Sequence, residues 1–320
     1  SKILIHSLKN KNFNVDILLS GRNKNHYWGI KEFLPCNIKD GLTFSIVDGK
    51  VKKWKTLKNI KAKRFYNDII NIDLKGYDLV ITDYEPITAW AAKKQKVLSI
   101  GISHQYSFLH DIPMEKGNYL ERFIMNKFAP VSIPIGLHWS HFGKNILPPI
   151  IPKLPKKEIE PNSVLVYLPF ENKKIIKKLL IPITDYNFKI YGHSQILLNE
   201  YNLCWKPFDR DGFLNDLIKS EAVLCNAGFE LTSESLSLNK KIMVKAVRGQ
   251  IEQVSNCKAL EVLNLTTVVK NLTSNKIKSW LDKNNSSYLP YKNVSDHIAD
   301  WIENWDFGNL NDLVESTWED

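Results

Sequence analysis

Pro148, Pro149, Pro152, Pro155 and Pro161 crowd one stretch near mid-chain, with Lys153, Lys156 and Lys157 between them. Prolines at that density exclude regular helix or sheet, so the stretch reads as an interdomain connection. It divides the 320 residues into two halves, 1–150 and 151–300, followed by a helical tail at 301–320. Both halves show the same rhythm. In the first, β-rich runs at 15–19, 79–82 and 96–102 surround a helical stretch at 87–94. In the second, strands are expected at 164–168, 188–191, 222–226 and 242–247, and helices at 172–180 and 232–238. Strand–helix–strand order predicts an α/β fold with parallel sheets covered by helices on both faces. Ligands of such sheets bind beyond the carboxyl ends of the strands. Ile298, Trp301, Ile302 and Trp305 share one face of an amphipathic helix over 297–305.

Hydrophobic residues make up 43% of the chain and charged residues 24%, the balance of a globular protein with a sizeable core. The longest apolar run, 128–139, is interrupted by Pro130 and Pro134 and falls short of the roughly 18–20 residues of a membrane span. No signal peptide opens the chain. Cys36, Cys204, Cys225 and Cys257 lack metal-ligand spacing and read as reduced thiols of a cytoplasmic protein. Net charge is +10, and residues 50–64 carry eight basic residues and no acidic one. Trp54, Leu57 and Ile60 lie among them, which suits an anionic membrane surface or a solvated lysine face. The expected location is cytoplasmic, with peripheral attachment to the inner face of the membrane. Nucleic acid is not an expected partner.

The segment richest in chemistry is Cys225-Asn226-Ala227-Gly228-Phe229-Glu230-Leu231-Thr232-Ser233-Glu234. A buried strand ends in a glycine turn and feeds a helix, whose unpaired N–H groups and positive dipole end attract anions. Gly228 permits close approach to a diphosphate, Thr232 and Ser233 offer hydroxyls, and the Glu234 carboxylate can accept both hydroxyls of a ribose. After the next strand comes Arg248-Gly249-Gln250-Ile251-Glu252-Gln253-Val254-Ser255-Asn256. Gln250, Glu252 and Gln253 can bond sugar hydroxyls there, and Arg248 can offset phosphate charge. Gly192 and His193, after another strand, are candidates for contact with a nucleobase.

These two segments resemble the donor site of GT-B glycosyltransferases, among them the transferase that adds N-acetylglucosamine to the lipid-linked peptidoglycan precursor (family 28-like). Leu165–Glu171, Asp83-Tyr84-Glu85-Pro86 and His138-Trp139-Ser140-His141-Phe142 are similar to segments of less characterised bacterial and archaeal relatives. The resemblance implies two Rossmann-like domains facing across a cleft, the first binding the acceptor and the second a nucleotide sugar. It implies a donor site of Gly192, His193, Asn226, Gly228, Phe229, Leu231, Thr232, Ser233, Glu234, Gln250, Glu252 and Gln253. In the family a strand and a glycine-rich turn, often with a candidate base, precede the position of Ser1. They are expected here and are not in the sequence, which opens on what reads as a helix.

The expected function is inverting, metal-independent transfer from a UDP-sugar to a glycan or lipid-linked acceptor, with the nucleotide sugar as substrate and no cofactor. Inverting transfer needs a general base, and Asp83, Glu85 and His104 are the candidates because they follow neighbouring strands. Asp83 serves equally as a turn carboxylate, and His104 with Tyr106 as packing at the cleft wall. Asp209-Arg210-Asp211 matches a metal-binding pattern but lies in an expected loop without a second carboxylate cluster, so capping or solvent exposure is favoured and no metal is assigned. A sugar-nucleotide epimerase on the same fold, or a non-catalytic protein binding an anionic surface or nucleic acid, are the alternatives.

Overall fold

The computed structural model describes residues 2–21, 34–39, 46–47, 50–51, 62–115, 127–155, 157–283, 285–290, 293–305 and 309–318. Of the basic stretch 50–64, residues 52–61 lie outside these, and with them most of its lysines and all three of its apolar members.

In the second half β9 (Glu160–Tyr167), β10 (Asn187–Tyr191), β12 (Leu203–Lys206), β13 (Ser220–Asn226), β14 (Lys241–Lys245) and β15 (Thr267–Val268) run parallel. With β11 (Leu198–Glu200), antiparallel on the edge, they form one sheet of order β11-β12-β10-β9-β13-β14-β15. Its centre is dry. Val164, Leu165 and Val166, like Val223, Leu224 and Cys225, are fully buried. Such uninterrupted apolar runs are what strands covered on both faces require. α5 (Lys173–Leu180) turns Ile176 and Leu180 onto the sheet and is capped by Asn172, whose side chain accepts from Lys174 N.

The first half holds a parallel sheet of β5 (Val80–Thr82), β6 (Ser99–Ser103), β7 (Ile133–Leu137) and β8 (Ile146–Leu147). Short pairs β1–β2 (Leu18–Ser20 with Asn37–Lys39) and β3–β4 (Ile46–Val47 with Lys50–Val51) accompany it. α1 (Lys2–Asn10) opens the chain, and α3 (Pro86–Gln95), preceded by α2 (Ala62–Ile70), follows β5. The two last helices, α10 (Val294–Glu303) and α11 (Leu310–Trp318), return to this half. Val294, Ile298 and Ile302 bury their side chains with Leu4, Leu8, Ile100 and Leu137. Ser7 Oγ donates to Ser295 Oγ at 2.9 Å, and Trp318 Nε1 to Ile146 O at 2.7 Å. The amphipathic face around Trp301 thus covers the first sheet.

A short helix, α4 (His104–Ser107), folds back across β6 and β7. Two glycines make room for it. A Cβ at Gly101 would lie 2.3 Å from the Tyr106 ring, and one at Gly136 would lie 2.6 Å from Ser107 Cα. The second obstacle is backbone and cannot swing away. Gly136→Ala is therefore expected to destabilise the protein by about 1–3 kcal/mol, as overpacking does, read as a lower urea midpoint at unchanged m-value.

Candidate functional site

The carboxyl ends of β9, β10, β12, β13 and β14 share one edge. There β13 leads through Asn226-Ala227-Gly228 into α7 (Phe229–Ser237), with Gly228 as N-cap. Gly228 has ordinary φ and ψ of −78° and 144°, and a Cβ built on it would meet nothing within 4 Å. The first N–H groups of α7 therefore face an accessible space, with the partial positive charge of the helix start behind them. Two buried acceptors at this edge, Asn226 Oδ1 and Gln250 Oε1, have no hydrogen-bond partner among the described residues. Asn226 is fixed by its other atom, Nδ2 donating to Lys245 O at 3.1 Å. Gln250 is the N-cap residue of α8 (Ile251–Val262).

Thr232 and Ser233 do not present hydroxyls to this space, which corrects the expectation from sequence. Both are fully buried one turn into α7, and Oγ1 of Thr232 donates to Gly228 O at 2.8 Å. Ser233 Oγ donates to Phe229 O at 2.7 Å and accepts from Trp139 Nε1 at 2.8 Å. Glu234 is buried, with Oε1 accepting from Arg210 Nη2 at 2.8 Å. Burial pushes its pKa up, Arg210 opposes, and Glu230 in the first turn adds to the rise. Glu230 itself is exposed, and Leu231 is half-buried.

The next segment is more inward-facing than its polarity suggests. Gln253 is buried and accepts from Val247 N at 2.9 Å, so it ties down its own loop. Glu252 accepts from Gln105 Nε2 of the first half at 3.1 Å. Arg248 turns to Asn271 Oδ1, 2.9 Å away. Gly192, with φ +92°, makes the turn after β10, and His193 Nε2 donates to Leu168 O at 2.9 Å. Asp209, for which capping or solvent exposure is favoured from sequence, caps helix α6 (Arg210–Lys219), with Oδ2 accepting from Gly212 N at 2.7 Å.

Of the three base candidates, two are engaged otherwise. Glu85 caps α3: Oε1 accepts from Ile87 N at 2.9 Å and from Ser20 Oγ at 2.6 Å. Its Oε2 takes Thr88 N and Thr88 Oγ1, each at 2.7 Å. His104 is buried, with Nδ1 donating to Leu137 O at 2.8 Å and Nε2 lying 2.7 Å from Asn256 Oδ1. Asn256 Nδ2 donates to Ala227 O at 3.0 Å, which fixes the amide's orientation. Both ring nitrogens therefore face oxygens, a demand that only the doubly protonated ring meets in full. Burial lowers the His104 pKa, while Glu252 and the two oxygens oppose. In either charge state neither nitrogen is open to an acceptor hydroxyl. Asp83 is exposed at the end of β5, followed by Tyr84 at φ 53°.

His104 and Asn256 belong to a seam between the halves that sequence reasoning missed. Phe229 lies flat on the His104 ring, centroids 3.9 Å apart and planes within 6°, with Trp139 and the buried His138 around them. His138 Nδ1 accepts from Trp139 N at 2.9 Å, and burial, then proximity to His104, holds its pKa well below the usual histidine range. Glu115 N donates to Ser255 Oγ at 3.0 Å. Removing one partner of a buried pair strands the other, at about 1–3 kcal/mol. Asn256→Ala and His104→Ala are each expected to lower unfolding free energy by about that much. The double variant should cost about 0.5–1 kcal/mol or more less than the sum; strict additivity in urea titrations would mean the two side chains do not interact.

The fold is shared with solved glycosyltransferases. Arabidopsis thaliana UGT89C1 complexed with UDP-L-rhamnose is similar over 98% of this chain and 95% of its own, with a TM-score of 0.60 and 10% identity. MurG of Acinetobacter baumannii is similar over 94% of each chain, with a TM-score of 0.56 and 12% identity. The glycotransferase of kitacinnamycin is similar over 88% of this chain and 86% of its own, with a TM-score of 0.57 and 10% identity. At these identities the likeness shows the fold, two Rossmann-like domains of the GT-B kind. No curated protein sequence matches the chain significantly. The family model for glycosyl transferase family 1 matches residues 1–284, and the chain is a glycosyltransferase belonging to that family.

Proposed function

We propose that the chain transfers a sugar from a UDP-sugar to a glycan or lipid-linked acceptor, with inversion and without a metal ion or other cofactor. The observation that carries this reading is the accessible helix start at Gly228, flanked by the unpartnered oxygens of Asn226 and Gln250. The N–H groups of the first turn of α7 bind the diphosphate and stabilise it as it leaves, work that a preorganised helix start does without a metal. Glu234 accepts the ribose hydroxyls, and Asn226 and Gln250 accept hydroxyls of the donor sugar. Glu252 and Gln253 shape that wall, Phe229 and Leu231 close it, and Gly192 and His193 border the nucleobase. UDP as the carrier is supported by the UDP-L-rhamnose complex of the Arabidopsis neighbour.

In this reading residues 1–150 carry the acceptor side and 151–300 the donor side. Asp83 takes the part of base, because it is exposed at the carboxyl end of β5 on the acceptor side. Among the described residues no helix is long and apolar enough to cross a membrane. The protein works in the cytoplasm, and a lipid-linked acceptor would bring it to the membrane face, where the basic stretch 50–64 would meet anionic lipid.

Two experiments test the proposal. Gly228→Leu adds a side chain where the backbone angles are ordinary and a Cβ meets no described atom within 4 Å, so the fold should survive it at a cost of about 0.5–2 kcal/mol for an apolar residue at an N-cap. The rise in Tm that UDP or the UDP-sugars give the unaltered protein should disappear. Retention of that rise would remove the Gly228 turn from the donor site. Asp83→Asn should lower kcat by about 10²–10⁴-fold with the donor KM unchanged. An unchanged kcat would take the base role away from Asp83.

A further inference from the structure

Arg210 is the first residue of α6, where the Asp209 cap and Gly212 set the geometry. A Cβ at Gly212 would lie 2.8 Å from Asp209 Oδ2, so a larger residue there would make the capping carboxylate shift. The helix is anchored below by Asp216, which accepts from Tyr191 Oη at 2.5 Å and pairs with Lys206 at 2.5 Å and Lys189 at 3.2 Å. This frame puts Arg210 Nη2 at 2.8 Å from Glu234 Oε1, joining a side chain that is 44% exposed to one that is 5% exposed.

We infer that Arg210 is a positioning residue for donor binding: its guanidinium holds the buried Glu234 carboxylate ionised and turned to accept two ribose hydroxyls. The inference rests on the reading of Glu234 as the ribose carboxylate. A ribose offers two O–H donors. An ionised carboxylate has about four acceptor sites, so it can take both hydroxyls while one site is held by Arg210. Protonated, it offers a donor of its own and has fewer sites left. Burial pushes Glu234 toward that protonated form, and the charged groups acting on it are Glu230, on its own helix, and Arg210, on α6. Glu230 favours protonation. Arg210 is the group that opposes it, and a guanidinium keeps its charge at every pH of interest. The exposed flank of Arg210 weakens the pair by solvent screening without removing it.

The test is calorimetric binding of UDP, and separately of pyrophosphate, between pH 5 and 8 to the full chain and its variants. UDP affinity should fall as pH drops and Glu234 takes up a proton. In Arg210→Gln the midpoint of that fall should move up by about one pH unit, and Arg210→Lys should restore most of it. Pyrophosphate, which has no ribose, should bind Arg210→Gln as it binds the unaltered protein. An unmoved midpoint in Arg210→Gln overturns the inference, and so does an equal loss of pyrophosphate, which would make Arg210 a phosphate ligand. Glu234→Gln separates the two levels of argument. If it leaves UDP binding intact, the ribose reading itself fails. If it weakens UDP while Arg210→Gln shifts nothing, only the role of Arg210 fails.

Discussion

Phe229 is the first residue of the helix that opens at Gly228, and its ring lies against His104 of the opposite half. A stacked aromatic pair contributes about 0.5–1.5 kcal/mol beyond its burial. Around it, Asn256 reaches Ala227 O on one side and the His104 ring on the other, and Trp139 reaches Ser233. Each of these polar contacts is buried, so breaking one costs more than forming it gains. Together they make the start of α7 a joint product of both halves. The donor site proposed at Gly228 is thus seated on the seam, and whatever moves the halves apart also moves Gly228.

The seam depends in turn on small residues far from it in sequence. His104 sits where it does because α4 lies close on β6 and β7, which Gly101 and Gly136 allow. The return of α10 and α11 closes the other face of that sheet, so Ile100 and Leu137 are covered on the side that α4 leaves bare. A single apolar layer therefore fixes both the first sheet and the ring that supports α7.

Some of this is legible in the sequence and some is not, for definite reasons. The strand at 222–226 and the helix after Gly228 follow from local pattern, since an apolar run, a glycine and a helix start carry their own consequences for N–H groups. The direction of the Thr232 and Ser233 hydroxyls does not, because each turns back to a carbonyl of its own helix, and Ser233 also accepts from Trp139, 94 residues away. The role of His104 is decided by Asn256, 152 residues further on. Glu85 had a local signal that went unread: Pro86 directly after it marks the first helical position, where the preceding carboxylate caps. Gly212, three residues after Asp209, was a similar sign of a helix start. Strand β7 hid behind Pro134, a residue that normally argues against a strand flanked on both sides.

One apparent conflict remains, that of an anion site lined by carboxylates. Glu171, Glu234, Glu252 and Asp209 all lie near the edge where a diphosphate is expected. Each has a partner: Glu171 pairs with Lys245, Glu234 with Arg210, Glu252 accepts from Gln105, and Asp209 caps its own helix. For Glu171 and Glu234 the cationic partner turns a repulsive charge into a fixed dipole, whose field falls off faster than that of a bare ion. Glu252 and Asp209, bonded to an amide and a backbone N–H, keep their charge, as does exposed Glu230 in the first turn of α7, so the helix start would act on a phosphate against these three. The positive balance of the whole chain is too distant to do this work, since exposed charges more than about 8–10 Å away are screened. Attraction at the site is local, built from backbone N–H groups and from cations that neutralise their neighbours rather than the ligand.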